Sequence, residues 1–412
     1  LQIGKAGIIV RADDIDKSYG NAVPALTVSY IGLLNGESLA TSGITGSPEL
    51  TTTATATSAL GTYPISIVQG SLASGNYSFT FQPGILTVGK AVITVTAESK
   101  VRTYGENNPQ LTFTYSGFVN GETLATSGVT GSPVIYTNAN VMTDAGDHDI
   151  IAAAGTLVSS SYDFKFVKGT LTIRKAMLTV TPEHKSRSYG APDPAFTVTY
   201  SGFVYGELLF TSAITGTPVM TTNATATSPV GSYEIYASLG TLYSPNYDFT
   251  FAKGTLTIGK TTLLVKAKDV SRAYGSANPV FEASYTGFVN GETYATSGLI
   301  GQPSMTTAAN NASLVGEYDI QTGLGTLEAT NYIFTFAKGT LTVNKAIINV
   351  VAEDKSRLYW EDDPSLTYTF NGFVNGENLA TGGVTGTPEL STDVIPYSNA
   401  GTYPIYITPG NL

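Results

Sequence analysis

Between positions 91 and 97 the side chains alternate: Ile93, Val95 and Ala97 fall on one face, Thr94 and Thr96 on the other. Period-two alternation of β-branched residues predicts a strand with one buried face. The same pattern returns in Ile8, Val10 and Ala12, in Leu178 and Val180, in Leu263 and Val265, and in Ile348 and Val350. A second strand is predicted around Leu111, Phe113 and Tyr115 facing inward, with Thr112 and Thr114 outward. The Thr/Ala stretch 51–58 reads as an exposed strand, Gly61-Thr62-Tyr63 starts another, and NYSFTF (76–81) with GILTV (84–88) reads as a closing hairpin. Only ETLATSG (122–128) resembles a helical turn, and it is too short for a packed helix.

The pattern is periodic on a larger scale. Lys5, Lys90, Lys175, Lys260 and Lys345 each open the same stretch, 85 residues apart with no insertion or deletion. Internal repetition at a fixed period decides the architecture before any single motif does. The predicted organisation is residues 1–4 as the last strand of a preceding repeat, then repeats at 5–89, 90–174, 175–259, 260–344 and, incomplete, 345–412. About seven short strands per repeat, with Gly/Pro turns between them, predict an all-β fold: a tandem array of antiparallel β-sandwiches of immunoglobulin-like type. A β-grasp unit using ETLATSG as its helix is the alternative.

Turn residues mark each unit at fixed offsets. Tyr104-Gly105 followed by Pro109 predicts a tight turn whose ring folds onto the core. The fifth repeat has Trp360 in the Gly place, a strained residue if that place needs φ > 0. GFVNGE (117–122) supplies an Asn-Gly turn with Gly121 at its tip and Glu122 placed to satisfy backbone donors; Tyr205 replaces the Asn in the third repeat. Tyr233, like Tyr63, Tyr318 and Tyr403, follows Gly-x into a strand as a tyrosine corner would, with His148 standing there in the second repeat.

At the boundary, inward residues are even-numbered before Lys90 (Leu86, Val88) and odd-numbered after it (Ile93, Val95). A strand running through would bury opposite faces in successive repeats. The expectation is a stiff rod with neighbours on alternating sides, on the order of 170–200 Å for five repeats. Leu1-Gln2-Ile3-Gly4-Lys5 matches Leu86-Thr87-Val88-Gly89-Lys90, so the chain starts and stops inside repeats and reads as a window of a longer array. Head-to-tail joining of copies is the other reading, against which the missing NYxFTF segment counts.

Composition narrows the chemistry. Charged residues make up 13% of the 412, the net charge is −10, and there is no cysteine. No basic cluster exists to meet phosphates, which argues against nucleic acid. Disulfides and cysteine metal sites are excluded. No apolar run approaches ~18 residues, so no membrane-spanning helix is expected. His148 and His184 occupy non-equivalent positions without a recurring Ser or Asp, so no catalytic triad is expected. Asp13-Asp14, Asp362-Asp363 and Asp147/Asp149 offer oxygen ligands for Ca2+, but without an EF-hand spacing they read as solvated loop charge, and no cofactor is expected. Lys90 with the Asn of positions 76, 246 and 331 has the residue types of a Lys–Asn isopeptide bond; Ser161 breaks that series, leaving a boundary lysine paired with a carboxylate.

Taken together, KAxxTVTA, Tyr-Gly-x before Pro, GFVNGE, NYxFTF and GTLTI followed by KA resemble the MBG domain of the YGX type, over all five units. The resemblance implies an extracellular stalk or adhesin region of a large bacterial surface protein and brings no catalytic residues. The expected partners are neighbouring repeats, with like chains in a filament, or a glycan or protein bound multivalently, as the alternatives.

Overall fold

A computed structural model describes residues 1–412. The chain contains no helix; every regular element is a strand. The first repeat shows the plan. Its strands are β1 (Ala6–Ala12), β2 (Ile15–Ser18), β3 (Val28–Ile31), β4 (Glu49–Thr52), β5 (Gly61–Val68), β6 (Tyr77–Gln82) and β7 (Gly84–Gly89). They form two sheets, ordered β3-β1-β6 and β2-β7-β5-β4. Ile8, Val10 and Ala12 from one sheet close on Ile65, Leu86 and Val88 from the other, and all six are buried. Alternation along each strand therefore does what the sequence pattern requires: one face of each sheet is apolar, and the two faces make one core.

The sheets are mixed rather than antiparallel throughout. β1 runs parallel to β6 and antiparallel to β3, and β2 runs parallel to β7. β6 and β7 lie in different sheets, so the expected closing hairpin does not form. The reason lies at the corners. Only Asp13 and Asp14 separate β1 from β2, and they turn the chain from one sheet to the other. Asp13 accepts hydrogen bonds from Thr27 (2.7 Å) and Ser29 (2.5 Å), while Asp14 accepts from the Ile85 N–H (2.8 Å). These acidic residues hold corners, as does Asp269 on the Thr340 N–H at 2.8 Å.

Two further expectations change. The 51–58 strand stops at Thr52: Ala54 is buried, and Thr55 N–H donates to Ser58 Oγ at 2.7 Å, closing a turn. The Thr/Ala alternation there encodes side-chain-to-backbone bonds, not pleat. ETLATSG is one unpropagated turn, in which Ser127 N–H reaches Thr123 O (2.9 Å) and Thr126 Oγ1 accepts from Thr123 N–H (2.8 Å).

By internal contacts the chain divides into two units. One comprises Leu1–Val180, Tyr200–Val219 and Leu239–Thr250; the other comprises Thr181–Thr199, Met220–Ser238 and Phe251–Leu412. The first contains the complete sandwiches of repeats one and two, the second that of repeat four and the paired strands of repeat five (Asn349–Ala352 with Tyr368–Asn371, Glu389–Thr392 with Ile405–Thr408).

The face switch read from the sequence is present. Leu86 and Val88 are buried, Gly89 and Lys90 are exposed in succession, and Ala91, Ile93 and Val95 are buried again. One residue, Lys90, separates β7 from the next strand, Ala91–Ala97. Arg174 and Lys175 repeat the step between Ile173 and Ala176.

Candidate functional site

The recurring motif residues meet at the junctions between repeats. The Asn-Gly turn is built first. Asn120 (φ 52°) and Gly121 (φ 72°) are both left-handed, and Glu122 N–H bonds Val119 O at 3.0 Å, the geometry of a type I′ turn. Such a turn presents its first and last residues, Val119 and Glu122, side by side. Both face the preceding repeat. Val119 packs on Gly20, where a Cβ would lie 2.3 Å from Val119 Cβ, and Gly20 itself has φ +83°. Glycine is required there twice over, by backbone conformation and by the approach of the neighbour.

Glu122 completes the clasp. Its Oε1 accepts from Tyr19 of repeat one at 2.7 Å and its Oε2 from Tyr162 of its own repeat at 2.5 Å. Tyr162 also accepts the Val119 N–H at 3.2 Å, which fixes the turn. The two rings pack edge to face with centroids 5.9 Å apart. In the same unit, Tyr104 donates to Glu207 at 2.8 Å, Tyr247 donates to its other oxygen, and the rings stand 5.7 Å apart at 78°. In the second unit, Tyr189 and Tyr332 both donate to Glu292 at 2.5 Å, and Tyr274 donates to Glu377 at 2.6 Å. The apolar core runs on through the clasp: Ala176, Leu178 and Tyr247 belong to one buried cluster with Ile150, Leu171 and Ile173.

Tyr104 is buried in one cluster with Ile150, Leu171 and Ile173 of its own repeat while its hydroxyl reaches the next one, Gly105 faces Val204 across the junction, and Glu122 bridges phenols instead of backbone donors. Pro109 lies in the loop between the second and third strands of its repeat and takes no part in the clasp. Lys90 closes a different contact: its Nζ bonds Ser159 O (3.2 Å) and pairs with Asp163 (3.3 Å) within its own repeat. Lys175 does the same with Ser244 O (2.8 Å) and Asp248 (3.8 Å). The asparagine considered for an isopeptide bond is occupied elsewhere. Asn246 is buried, accepts from Ala145 N–H (2.9 Å) and donates to Asp144 (2.8 Å) of the preceding repeat. Asn331 accepts from Val230 N–H at 3.0 Å in the same way.

Tyr233 donates to Pro229 O at 2.9 Å, four residues back, as Tyr63, Tyr318 and Tyr403 do to Ala59, Leu314 and Asn399. This is the tyrosine-corner bond. His148 is no exception: its Nε2 lies 2.9 Å from Asp144 O, so imidazole does the work of phenol. A recurrent feature missed in the motif reading is the series Lys17, Arg102, Arg187, Arg272 and Arg357, visible as an 85-residue spacing. Arg102 is buried and spends its donors on Asn108 Oδ1, Thr103 O and Asn140 O, pinning two loops. No three His, Cys, Asp or Glu side chains converge as a metal site, and no helix is long and apolar enough to cross a membrane.

Burial first and the Glu207 carboxylate second push the Tyr247 phenol up to about 12, from an ordinary 10.0. Burial and Glu292 do the same to Tyr332, also about 12, and Tyr104, Tyr162 and Tyr189 are raised for like reasons. A folded-state value above the unfolded one contributes stability that is complete below pH 10 and lost as pH rises through 12. Urea midpoints should therefore fall steeply between pH 10 and 12, and less steeply in Tyr247→Phe/Tyr332→Phe, whose clasps each keep only one phenolic proton, on Tyr104 or Tyr189.

Ser161 leaves the first junction without the asparagine bond. Ser161→Asn, directed at the backbone of Leu60, should stabilise the chain by about 1 kcal/mol in urea unfolding, one net hydrogen bond. Trp360 occupies the glycine place at φ +73°. Trp360→Gly should raise stability by about 1 kcal/mol through relief of that backbone cost.

β units joined at three junctions by tyrosine–glutamate–tyrosine bridges, and at the fourth by Tyr274 on Glu377, define a tandem-repeat protein of the modular, all-β class. Its motifs are those of a single family: the chain belongs to the MBG domain (YGX type) family, whose model matches residues 8–87, 93–172, 178–257, 263–342 and 348–412. Among solved structures, the I9–I11 tandem from titin is similar at 12% identity, over 61% of this chain and 98% of that one, with a TM-score of 0.18. No curated protein matches the chain.

Proposed function

We propose that the chain is a repetitive spacer segment of an extracellular bacterial surface protein, with consecutive repeats clasped instead of flexibly linked. The observation that carries this reading is the junction itself. At Lys90, Lys175 and Lys260 one residue separates the last strand of one repeat from the first strand of the next, and Glu122, Glu207 and Glu292 each tie a phenol from either side. Side chains that recur in every repeat are consumed in holding neighbours, which suits repetition of length better than a ligand site. Family membership supports surface display, because YGX-type repeats resemble those of large bacterial surface proteins.

Small-angle scattering of the purified chain tests it. The wild type should give a distance distribution with a sharp maximum dimension, and Glu122→Ala/Glu292→Ala a broadened one. A wild-type distribution as broad as that of flexibly tethered beads, or no change in the variant, would sink the spacer reading.

A further inference from the structure

The first and last strands of a repeat are paired in parallel, and in both sheets. In repeat one β1 lies along β6, from Ala6 beside Tyr77 to Arg11 beside Gln82, and β2 lies along β7, from Ile15 beside Leu86 to Ser18 beside Gly89. Bonds just outside the strands carry the ladder to both ends: Ala6 N–H donates to Asn76 O at 2.9 Å, and Tyr19 N–H to Gly89 O at 2.8 Å. At the corner between the two ladders, Asp14 on the Ile85 N–H holds the same two segments together. Residues 6–19, where the chain enters the repeat, are thus bonded along their length to residues 76–89, where it leaves. Repeat two pairs 91–103 with 162–174 in the same way, and repeat four pairs 261–273 with 332–344. Their corner bonds run from Thr170 N–H to Ser99 Oγ at 3.1 Å and from Thr340 N–H to Asp269.

Parallel pairing puts the entry and the exit of the chain at opposite ends of the paired segments. Tension along the chain, applied at Lys5 and Lys90, therefore slides one segment along the other and strains all the ladder bonds together. Were the same segments antiparallel, their outer ends would lie side by side, and the bonds would open one after another. Equilibrium stability gives no reason for this choice, since parallel pairs are slightly less stable per residue. Resistance to pulling does, because forced opening is governed by the unfolding barrier. Lys90 alone joins β7 to the strand Ala91–Ala97, so no slack takes up a pull before the ladders feel it.

We propose that the sandwiches of repeats one, two and four are mechanical units that keep the chain's length under tension, each through the shear ladder between its first and last segments. This rests on the spacer reading for the reason that tension reaches the chain at all. The two are separable by experiment: scattering compares joined repeats, whereas pulling can load a single one.

Single-molecule force spectroscopy of the full chain tests it, and the absence of cysteine lets the points of attachment be chosen. Gly4→Cys/Gly89→Cys holds repeat one at its entry and exit, and Gly4→Cys/Gly75→Cys holds it at the same end of β1 and β6. An added Cβ meets nothing within 4 Å at Gly4 or Gly75 and only Lys17 O, at 4.0 Å, at Gly89, and none of the three glycines has a positive φ. Folding is therefore retained, and matching circular dichroism melts check it. Held at 4 and 89, repeat one should open in a single rupture that releases the 85 residues between the handles, roughly 300 Å at about 3.5 Å each. At one loading rate that rupture should need at least about twice the force that opens the 4-and-75 pair, where ladder bonds yield in turn instead of together. Equal forces in the two geometries, a lower force at 4 and 89, or opening there in several small steps would overturn the proposal.

Discussion

Glu207→Ala is expected to destabilise the chain by about 2–4 kcal/mol, measured by urea unfolding. The carboxylate is the acceptor for two phenols, Tyr104 and Tyr247, which are 4% and 1% exposed. Deleting it strands two buried donors, and each unsatisfied group costs about 1–3 kcal/mol. Burial leaves no water to replace the acceptor, so the penalty is not refunded as it would be for a surface pair. Glu207→Gln, which keeps the shape and one good acceptor, should lose roughly half as much. Glu37 supplies the internal control, because the bond it makes is to Tyr77 of its own repeat, at 2.6 Å. Equal losses at Glu37 and Glu207 would mean that the contact to the preceding repeat contributes nothing.

What the sequence reveals of this clasp, and what it hides, follows from periodicity. Tyr104 and Glu122 stand in one repeat, and Tyr104 and Glu207 in successive ones; a strictly periodic chain writes both pairs with the same letters. Spacing alone cannot say whether the tyrosine reaches forward 18 residues or 103, and the observed bond is the longer one. Asn246 gives the breaking of symmetry away only in hindsight, through its replacement by Ser161 one repeat earlier. Facing is different. Burial acts on each residue separately, so the alternation around Ile93 and the switch between Val88 and Ala91 are written directly in side-chain type. Strand direction is not written there, because an alternating strand looks the same to a parallel partner as to an antiparallel one. That is why β1 against β6 and β2 against β7 differ from the antiparallel expectation while Ile8, Val10, Ala12, Leu86 and Val88 are all buried. The Thr-rich turn after Thr52 misled for a third reason: hydroxyls at alternate positions serve equally as the outer face of a strand and as local caps.

Gly190→Ala should rank with the loss of Glu207, at about 2–4 kcal/mol, although it adds a single methyl group. The position has φ +77°, which costs a β-carbon-bearing residue about 1–2 kcal/mol. The new Cβ would also sit 2.4 Å from Val289 Cγ2 and 2.5 Å from Val289 Cβ, and relieving such overpacking adds about 1–3 kcal/mol. Gly291, at the tip of the turn that carries Val289, separates the two costs: its φ is +72°, but nothing lies within 4 Å of an added Cβ. Gly291→Ala should therefore show the backbone cost alone. Val289→Ala removes both methyls and leaves the Cβ, so in Gly190→Ala/Val289→Ala part of the steric cost should return as a favourable coupling energy. If Gly190→Ala and Val289→Ala were additive, valine would not be pressing on glycine across the junction. A coupling of about 1 kcal/mol or more would instead make the glycine of each Tyr-Gly pair a fitted surface for the following repeat. On that footing the family's tyrosine and glycine act together: one provides the hydroxyl that reaches the glutamate, and the other provides the space that lets the repeat come close enough to be reached.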